Sequence, residues 1–337
     1  MPAPLGSRPP LAGQSAPPVV PTLEHQFPFD PTYGYDLERL LQVTAPPEPE
    51  GFAPFWQGRV RDACRIDPSP RVTPAAIGHP RFRVFDLEYR STAGITIKGW
   101  FVEPADQAAR CGFVLGHGYG GIEAPDLDLP RPDGAYIIPC FRGLSRSRLP
   151  GISDNPSWHV LHAIDKRDRY ILGGCVEDLW LAVSALLALR PAVAGHVGYM
   201  GISFGGGVGA LAVPWDDRVQ RVHLNVPSFG HHPLRTTLPT VGSAAVVIDY
   251  QKRHGHVLET LSFYDAAVAA GHLRQPAHIA AALFDPAVAP PGQFAVYNAI
   301  PGPKSLFVLM AGHFDWPGRA EEEAQLRSEL KEFFAAL

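Results

Sequence analysis

Cysteine is scarce in this chain, and its placement excludes two roles at once. Cys64, Cys111, Cys140 and Cys175 show neither metal-ligand spacing nor the pattern of a disulfide framework. Cys111 and Cys140 lie inside apolar runs and read as buried thiols, which points to a reducing compartment and a cytoplasmic location. Cationic excess is missing too. The 29 Lys and Arg are outnumbered by 33 Asp and Glu, for a formal charge of −4, and no basic run stands out. Neither nucleic acid nor an anionic membrane is therefore an expected partner. No run of about 18 apolar residues suggests a membrane span. The N-terminus lacks the charged-then-apolar pattern of a signal peptide, so none is expected. Dinucleotide and phosphate loops are also absent, since the glycines at 205–207 are not followed by Lys-Ser or Lys-Thr. No cofactor and no metal are expected.

Apolar content, by contrast, is ample: 46% of 337 residues can bury a large core. Proline crowds the start, at 2, 4, 9, 10, 17, 18 and 21, and residues 1–50 read as a Pro-rich extension ahead of a main domain over 51–337. Short helices are expected over 37–42 and 52–65. Strand-like runs follow at 83–90, 96–102, 111–115, 135–140, 197–200, 222–226, 278–284 and 305–310. A short Ser91-Thr92-Ala93-Gly94 turn makes the first two a hairpin. The later runs alternate with helical segments, clearest over 175–189, where Val176, Leu179, Val183, Leu186 and Leu187 form one stripe. A last helix is expected over 319–337, acidic at its start. The pattern predicts an α/β fold: a mostly parallel eight-stranded sheet with helices on both faces.

The most informative stretch is Gly201-Ile202-Ser203-Phe204-Gly205, between the apolar run ending at Met200 and a glycine-rich helical segment. Strand, tight turn and helix in that order lift a serine hydroxyl clear of the sheet, and the amide of Phe204 is free to meet a developing oxyanion. The motif alone turns up by chance in roughly one chain in seven of this composition, so its partners matter. A serine hydroxyl needs a base, and the base needs a carboxylate, in the chain order serine, acid, histidine. Asp285 ends an apolar strand and precedes Pro286; Asp249 and Asp265 compete, but Asp265 stands where a helix would need a cap. Among the 14 histidines, His313 sits on the loop directly after the last strand. Asp315 reads as a surface carboxylate. A second oxyanion donor is expected after the third strand, in His117-Gly118-Tyr119-Gly120-Gly121, from the amide of Tyr119 with its ring at the pocket mouth.

Over about residues 50–315 the chain resembles the carbohydrate-esterase family of acetyl xylan esterases and cephalosporin C deacetylases, a branch of the α/β-hydrolase fold. The likeness rests on Phe55-Trp56, Thr96-Ile97-Lys98-Gly99-Trp100, His117-Gly118-Tyr119, Arg142-Gly143 and the serine turn. It continues through Val226-Pro227, Leu261-Ser262-Phe263-Tyr264-Asp265, Asp285, Pro290-Pro291, Phe294-Ala295-Val296-Tyr297-Asn298 and Gly312-His313. The resemblance implies Ser203 as nucleophile, His313 as base, Asp285 as acid, and Tyr119 and Phe204 as oxyanion amides. It also implies a pocket near Tyr119, Arg142, Pro227 and Phe314, and a small-molecule substrate, an acetyl ester of a sugar or related alcohol. Three positions depart from the family: Leu144 and Phe204 stand where it has glutamine, and Phe314 where it has glutamate. All are apolar and point to a drier, differently shaped pocket. Segment 145–169 differs from the family's usual oligomer-building insertion, which leaves a homo-oligomer open.

Three readings follow from the sequence. The first is a serine esterase for short acyl groups, working through an acyl-enzyme. The second is an acyltransferase, or an amide or thioester hydrolase, on the same triad. The third is a non-catalytic binding protein on a hydrolase scaffold. A propeller-lidded peptidase does not fit, because the stretch before the main domain is too short.

Overall fold

The computed structural model describes residues 23–337, so the proline-rich segment 1–22 lies outside the described residues. Among the described residues nine strands form one sheet in the order β1-β2-β3-β5-β4-β6-β7-β8-β9. They are β1 Arg71–Pro74, β2 Phe82–Arg90, β3 Thr96–Pro104, β4 Cys111–Gly116, β5 Gly134–Pro139, β6 Val197–Ile202, β7 Arg221–Asn225, β8 Ala277–Phe284 and β9 Lys304–Ala311. β1, β2 and β3 pair antiparallel, β3 meets β5 antiparallel, and all pairs from β5 across to β9 are parallel. The eight expected strands are present within a residue or two. The ninth, β1, corrects the expected count. Arg71, Thr73 and Pro74 are exposed, so this short edge strand lacks the apolar alternation that marks the others. A proline at its end suits an edge, where a missing amide costs nothing.

Side chains alternate across the sheet, as the pleat requires. In β5, Ala135 and Ile137 face one layer while Tyr136 and Ile138 face the other. The first layer is filled by helices Ile171–Leu189, Phe204–Ala212 and Pro290–Ala299, the second by the C-terminal helix Arg319–Phe334 through Leu326, Leu330 and Phe334. Helix Ile171–Leu189 is long and apolar enough to cross a bilayer, contrary to the expectation that no such run exists, yet 78% of its apolar stretch is buried inside the fold. It is a core helix, wedged against β4 and β5. Cys111, Cys140 and Cys175 are buried free thiols.

The described part of the N-terminal extension lies on the main domain. Asp36 caps helix Leu37–Leu40, Leu40 is fully buried, and Asn298 donates to the carbonyls of Leu40 and Val43 at 2.9 and 2.8 Å. Pro31 accepts the backbone amide of Asp285 at 3.1 Å, which ties this segment to the end of β8.

Candidate active site

Ser203 sits between β6 and helix Phe204–Ala212 with φ 53° and ψ −111°. A non-glycine residue held there is strained, and the surroundings over-determine it. Its amide donates to Asn225 O (2.8 Å), and its carbonyl accepts from Gly207 and Ser228 (2.9 and 3.0 Å). Gly201 and Gly205 allow the two arms of the turn to close. A Cβ on Gly201 would stand 2.5 Å from the Gly205 carbonyl oxygen, and one on Gly205 would overlap the backbone of Gly116. Ser203 is left 8% exposed, its hydroxyl facing the loops after β8 and β9.

Those loops deliver the partners. His313 follows β9 at φ 47°, with its neighbour's amide at Gly312 donating to Phe284 O at 2.8 Å. Its Nε2 lies 2.8 Å from Ser203 Oγ and its Nδ1 2.8 Å from Asp285 Oδ2. Asp285 is fully buried. Oδ1 accepts from the amides of Ala287 and Val288, both at 2.9 Å, and Oδ2 accepts from Gln293 Nε2 at 2.9 Å as well as from His313. Gln293 is itself locked: it accepts from Ala282 N at 2.8 Å and donates to Val288 O at 2.6 Å. Burial disfavours a charged His313, but the hydrogen bond to Asp285 and its charge outweigh this and raise the imidazole pKa above 6.5. Of the competing carboxylates, Asp265 caps helix Ala266–Ala270 and Asp249 lies within helix Ala244–His254, neither on His313. Asp315 is at the surface, 3.7 Å from Arg319.

Among the described residues, the amides of Tyr119 and Phe204 have no acceptor within the protein. Their rings stack at 4.2 Å with planes 12° apart, so the two donors are set on one rigid aromatic pair. Tyr119 is anchored further by its hydroxyl, 3.0 Å from His159 Nδ1. His159 Nε2 lies 2.9 Å from Arg142 O, where only its N–H can make the bond, so Nδ1 accepts from the tyrosine.

A cavity of about 320 Å³ opens over Ser203 and His313. Gly118, Tyr119, Gly120, Pro156, Ile202, Ser228, Arg235, Gly242, Ser243, Ala287 and Val288 complete its wall. Of the four residues expected at the pocket, only Tyr119 lines it. Arg142 is buried in a bidentate pair with Asp178 (2.6 and 3.0 Å), and acts on the site only through its carbonyl on His159. Pro227 is packed behind the serine helix, its Cα 3.0 Å from where a Gly206 Cβ would be. Phe314 turns away onto Phe284 and Phe27, at ring distances of 4.9 and 5.9 Å. The three apolar departures do not shape the wall as expected, for the same reason. Leu144 and Phe204 are core residues, and none of the three apolar departures reaches the cavity wall. Sequence reasoning missed Gln293, His159 and Arg235. Gln293 lies within the Pro290-Pro291 to Asn298 stretch noted for its likeness, whereas His159 and Arg235 stand in segments with no motif.

A strained serine bonded through an imidazole to a buried carboxylate, at the C-terminal edge of a mostly parallel sheet, defines a serine hydrolase of the α/β-hydrolase fold. The acetyl xylan esterase (AXE1) family profile matches residues 35–327, and the chain belongs to that family. Acetyl xylan esterase 1 from Thermoanaerobacterium sp. JW/SL YS485 superposes with a TM-score of 0.74 at 20% identity, over 90% of this chain and 99% of that one. The acetyl xylan esterase from Paenibacillus sp. R4 gives 0.75 at 20% identity, over 88% and 99%. The acylaminoacyl peptidase of Pyrococcus horikoshii gives 0.59 at 14% identity, over 75% of this chain but 41% of its own. This protein is a carboxylic-ester hydrolase acting on acetyl esters.

Proposed function

We propose that Ser203, His313 and Asp285 carry out this hydrolysis on short-chain acyl, chiefly acetyl, esters of sugars or related small alcohols. The supporting observation is the continuous relay of two 2.8 Å contacts from Ser203 Oγ through His313 to Asp285. His313 Nε2 takes the hydroxyl proton as Ser203 Oγ attacks the ester carbonyl. The amides of Tyr119 and Phe204 hold the oxyanion of the tetrahedral intermediate. Asp285 holds Nδ1–H and steadies the imidazolium, which then gives its proton to the departing alkoxide. Water, deprotonated by His313 in turn, releases the acid from the acyl-serine. Ser203→Ala is expected to lower kcat/KM for nitrophenyl acetate by several orders of magnitude, by analogy with other triad knock-outs. In the wild type, acetate to butyrate esters should turn over fastest. Turnover in Ser203→Ala matching the wild type would refute the assignment. A dominant transfer product with competing alcohols would favour acyl transfer over hydrolysis.

A further inference from the structure

Arg235 stands out inside the cavity. It ends helix His232–Arg235 after β7 and lines the same wall as Ser203 and His313. Its guanidinium lies over the ring of Phe229 at 5.6 Å. Among the described residues no carboxylate comes within 4.0 Å of it, and none of its side-chain donors meets a protein acceptor. Residues 1–22 contain no Asp or Glu, so they bring no carboxylate side chain to it. Every other partly or fully buried arginine among the described residues has a direct partner. Arg59, Arg131, Arg142, Arg146, Arg190, Arg218 and Arg327 face carboxylates, with Arg59 Nε itself left unpaired, and Arg221 donates to Phe333 O at 3.0 Å. The hydroxyls of Ser228 and Ser243 on the same wall also lack a protein partner among the described residues.

An arginine stays protonated, and a partly buried one without a directly paired counter-ion is costly unless a ligand supplies it. The charge of Asp265 reaches Arg235 only from beyond 4.0 Å, its oxygens being taken up by the amides of His231, His232 and Ala267. We infer that Arg235 anchors an anionic group, a carboxylate by the fit of its planar fork, on the alcohol half of the ester substrate. The alcohol half follows from the reading above, on which this inference rests: an acetyl group has no atom to carry the charge. Desolvation by burial pulls Arg235 below the ordinary arginine pKa, the direction an incoming carboxylate would reverse.

The test is a matched pair of acetate esters, 3-acetoxybenzoate and 3-acetoxybenzamide, assayed with wild type, Arg235→Gln and Arg235→Lys. Arg235→Gln should lower kcat/KM for the carboxylate ester about 10- to 100-fold, the value of a charge-assisted contact, and leave the amide ester within about threefold. Arg235→Lys should retain part of the preference, and salt should weaken it in the wild type. An equal loss on both esters, or no loss on either, would overturn the inference. So would a charge preference that appears only on the acyl side, read from a monosuccinate ester against its methylated form. Failure of the underlying reading looks different: the amide ester would then be inert to wild type, or turned over undiminished by Ser203→Ala.

Discussion

Asp285→Asn isolates what the buried carboxylate does, because the surrounding bonds dictate how an asparagine must sit. Oδ1 receives two backbone amides, from Ala287 and Val288, and neither can turn round. The asparagine carbonyl must therefore take that place, which puts its NH2 where Oδ2 was. There it meets two groups that now donate, Gln293 Nε2 and His313 Nδ1. Gln293 cannot flip without losing its bonds to Ala282 N and Val288 O. His313 can, by moving its proton to Nε2, but that tautomer presents N–H to Ser203 and is no base. The expected loss in kcat/KM is roughly 10³- to 10⁴-fold, or about 4–5.5 kcal/mol of barrier. A separate cost of about 1–3 kcal/mol in stability arises from the donor facing Gln293, read as a fall of a few degrees in Tm.

These two effects can be pulled apart. Adding Gln293→Glu, which full burial without a counter-ion keeps protonated, puts a hydroxyl at the old amide nitrogen. Its proton goes to Val288 O, its oxygen accepts from the asparagine NH2, and the other oxygen still accepts from Ala282 N. The double variant should recover part of the lost Tm and none of the turnover, since His313 stays in the wrong tautomer. The assay is steady-state hydrolysis of nitrophenyl acetate beside thermal unfolding. Turnover in Asp285→Asn above about a tenth of wild type would refute the tautomer argument. Recovery of turnover in the double variant would do so as well.

Two further outcomes are expected. The kcat/KM profile should rise with pH through the His313 pKa, above 6.5, because only the neutral ring is a base. Burial pushes His117 and His159 down to about 4 and His223 to about 3, so none of these produces that limb. A raised folded-state pKa means the His313–Asp285 pair stabilises the fold most below about 6.5 and loses that contribution as pH climbs through the folded value, opposite to activity. A profile flat across this window would contradict the assignment of His313. Separately, Gly205→Ala should destabilise by about 1–3 kcal/mol or more, since its Cβ meets the backbone of Gly116, whereas Gly78→Ala, with nothing within 4 Å, should shift Tm little. Equal melting temperatures would remove steric closure as the reason for glycine in the serine turn.

Strands buried on both faces were legible because their apolar runs are continuous: β8, with all eight residues buried, announces itself. β1 was not, since only Val72 in it escapes full exposure. Ser203, Asp285 and His313 were legible because each stands at the end of a readable strand, where chain order alone limits the choice. Residues that hold them were harder. Gln293 looks like any helical glutamine until the fold brings it 2.9 Å from Asp285. His159 reaches Tyr119 across 40 residues from a four-residue helix, with no period to betray it. Arg142 was misplaced for a physical reason. Nothing in the sequence distinguishes an arginine that meets substrate from one whose charge is consumed by Asp178 in the core.

The three apolar departures make the same point about Phe204. A residue next to the nucleophile is expected to shape the pocket, yet its ring is fully buried, between Tyr119 on one side and Phe141 and Phe229 on others. Its contribution is therefore rigidity. Two amides that must converge on one oxygen belong to two rings in face-to-face contact, and Phe229 beneath them also carries the guanidinium of Arg235. Oxyanion binding and the cationic wall thus share one aromatic support. Loss of the Phe204 ring would loosen both, while loss of the Arg235 charge would leave the amides where they are. Selectivity for the alcohol is then separable from the chemistry at the carbonyl, and helix His232–Arg235 is where it would change.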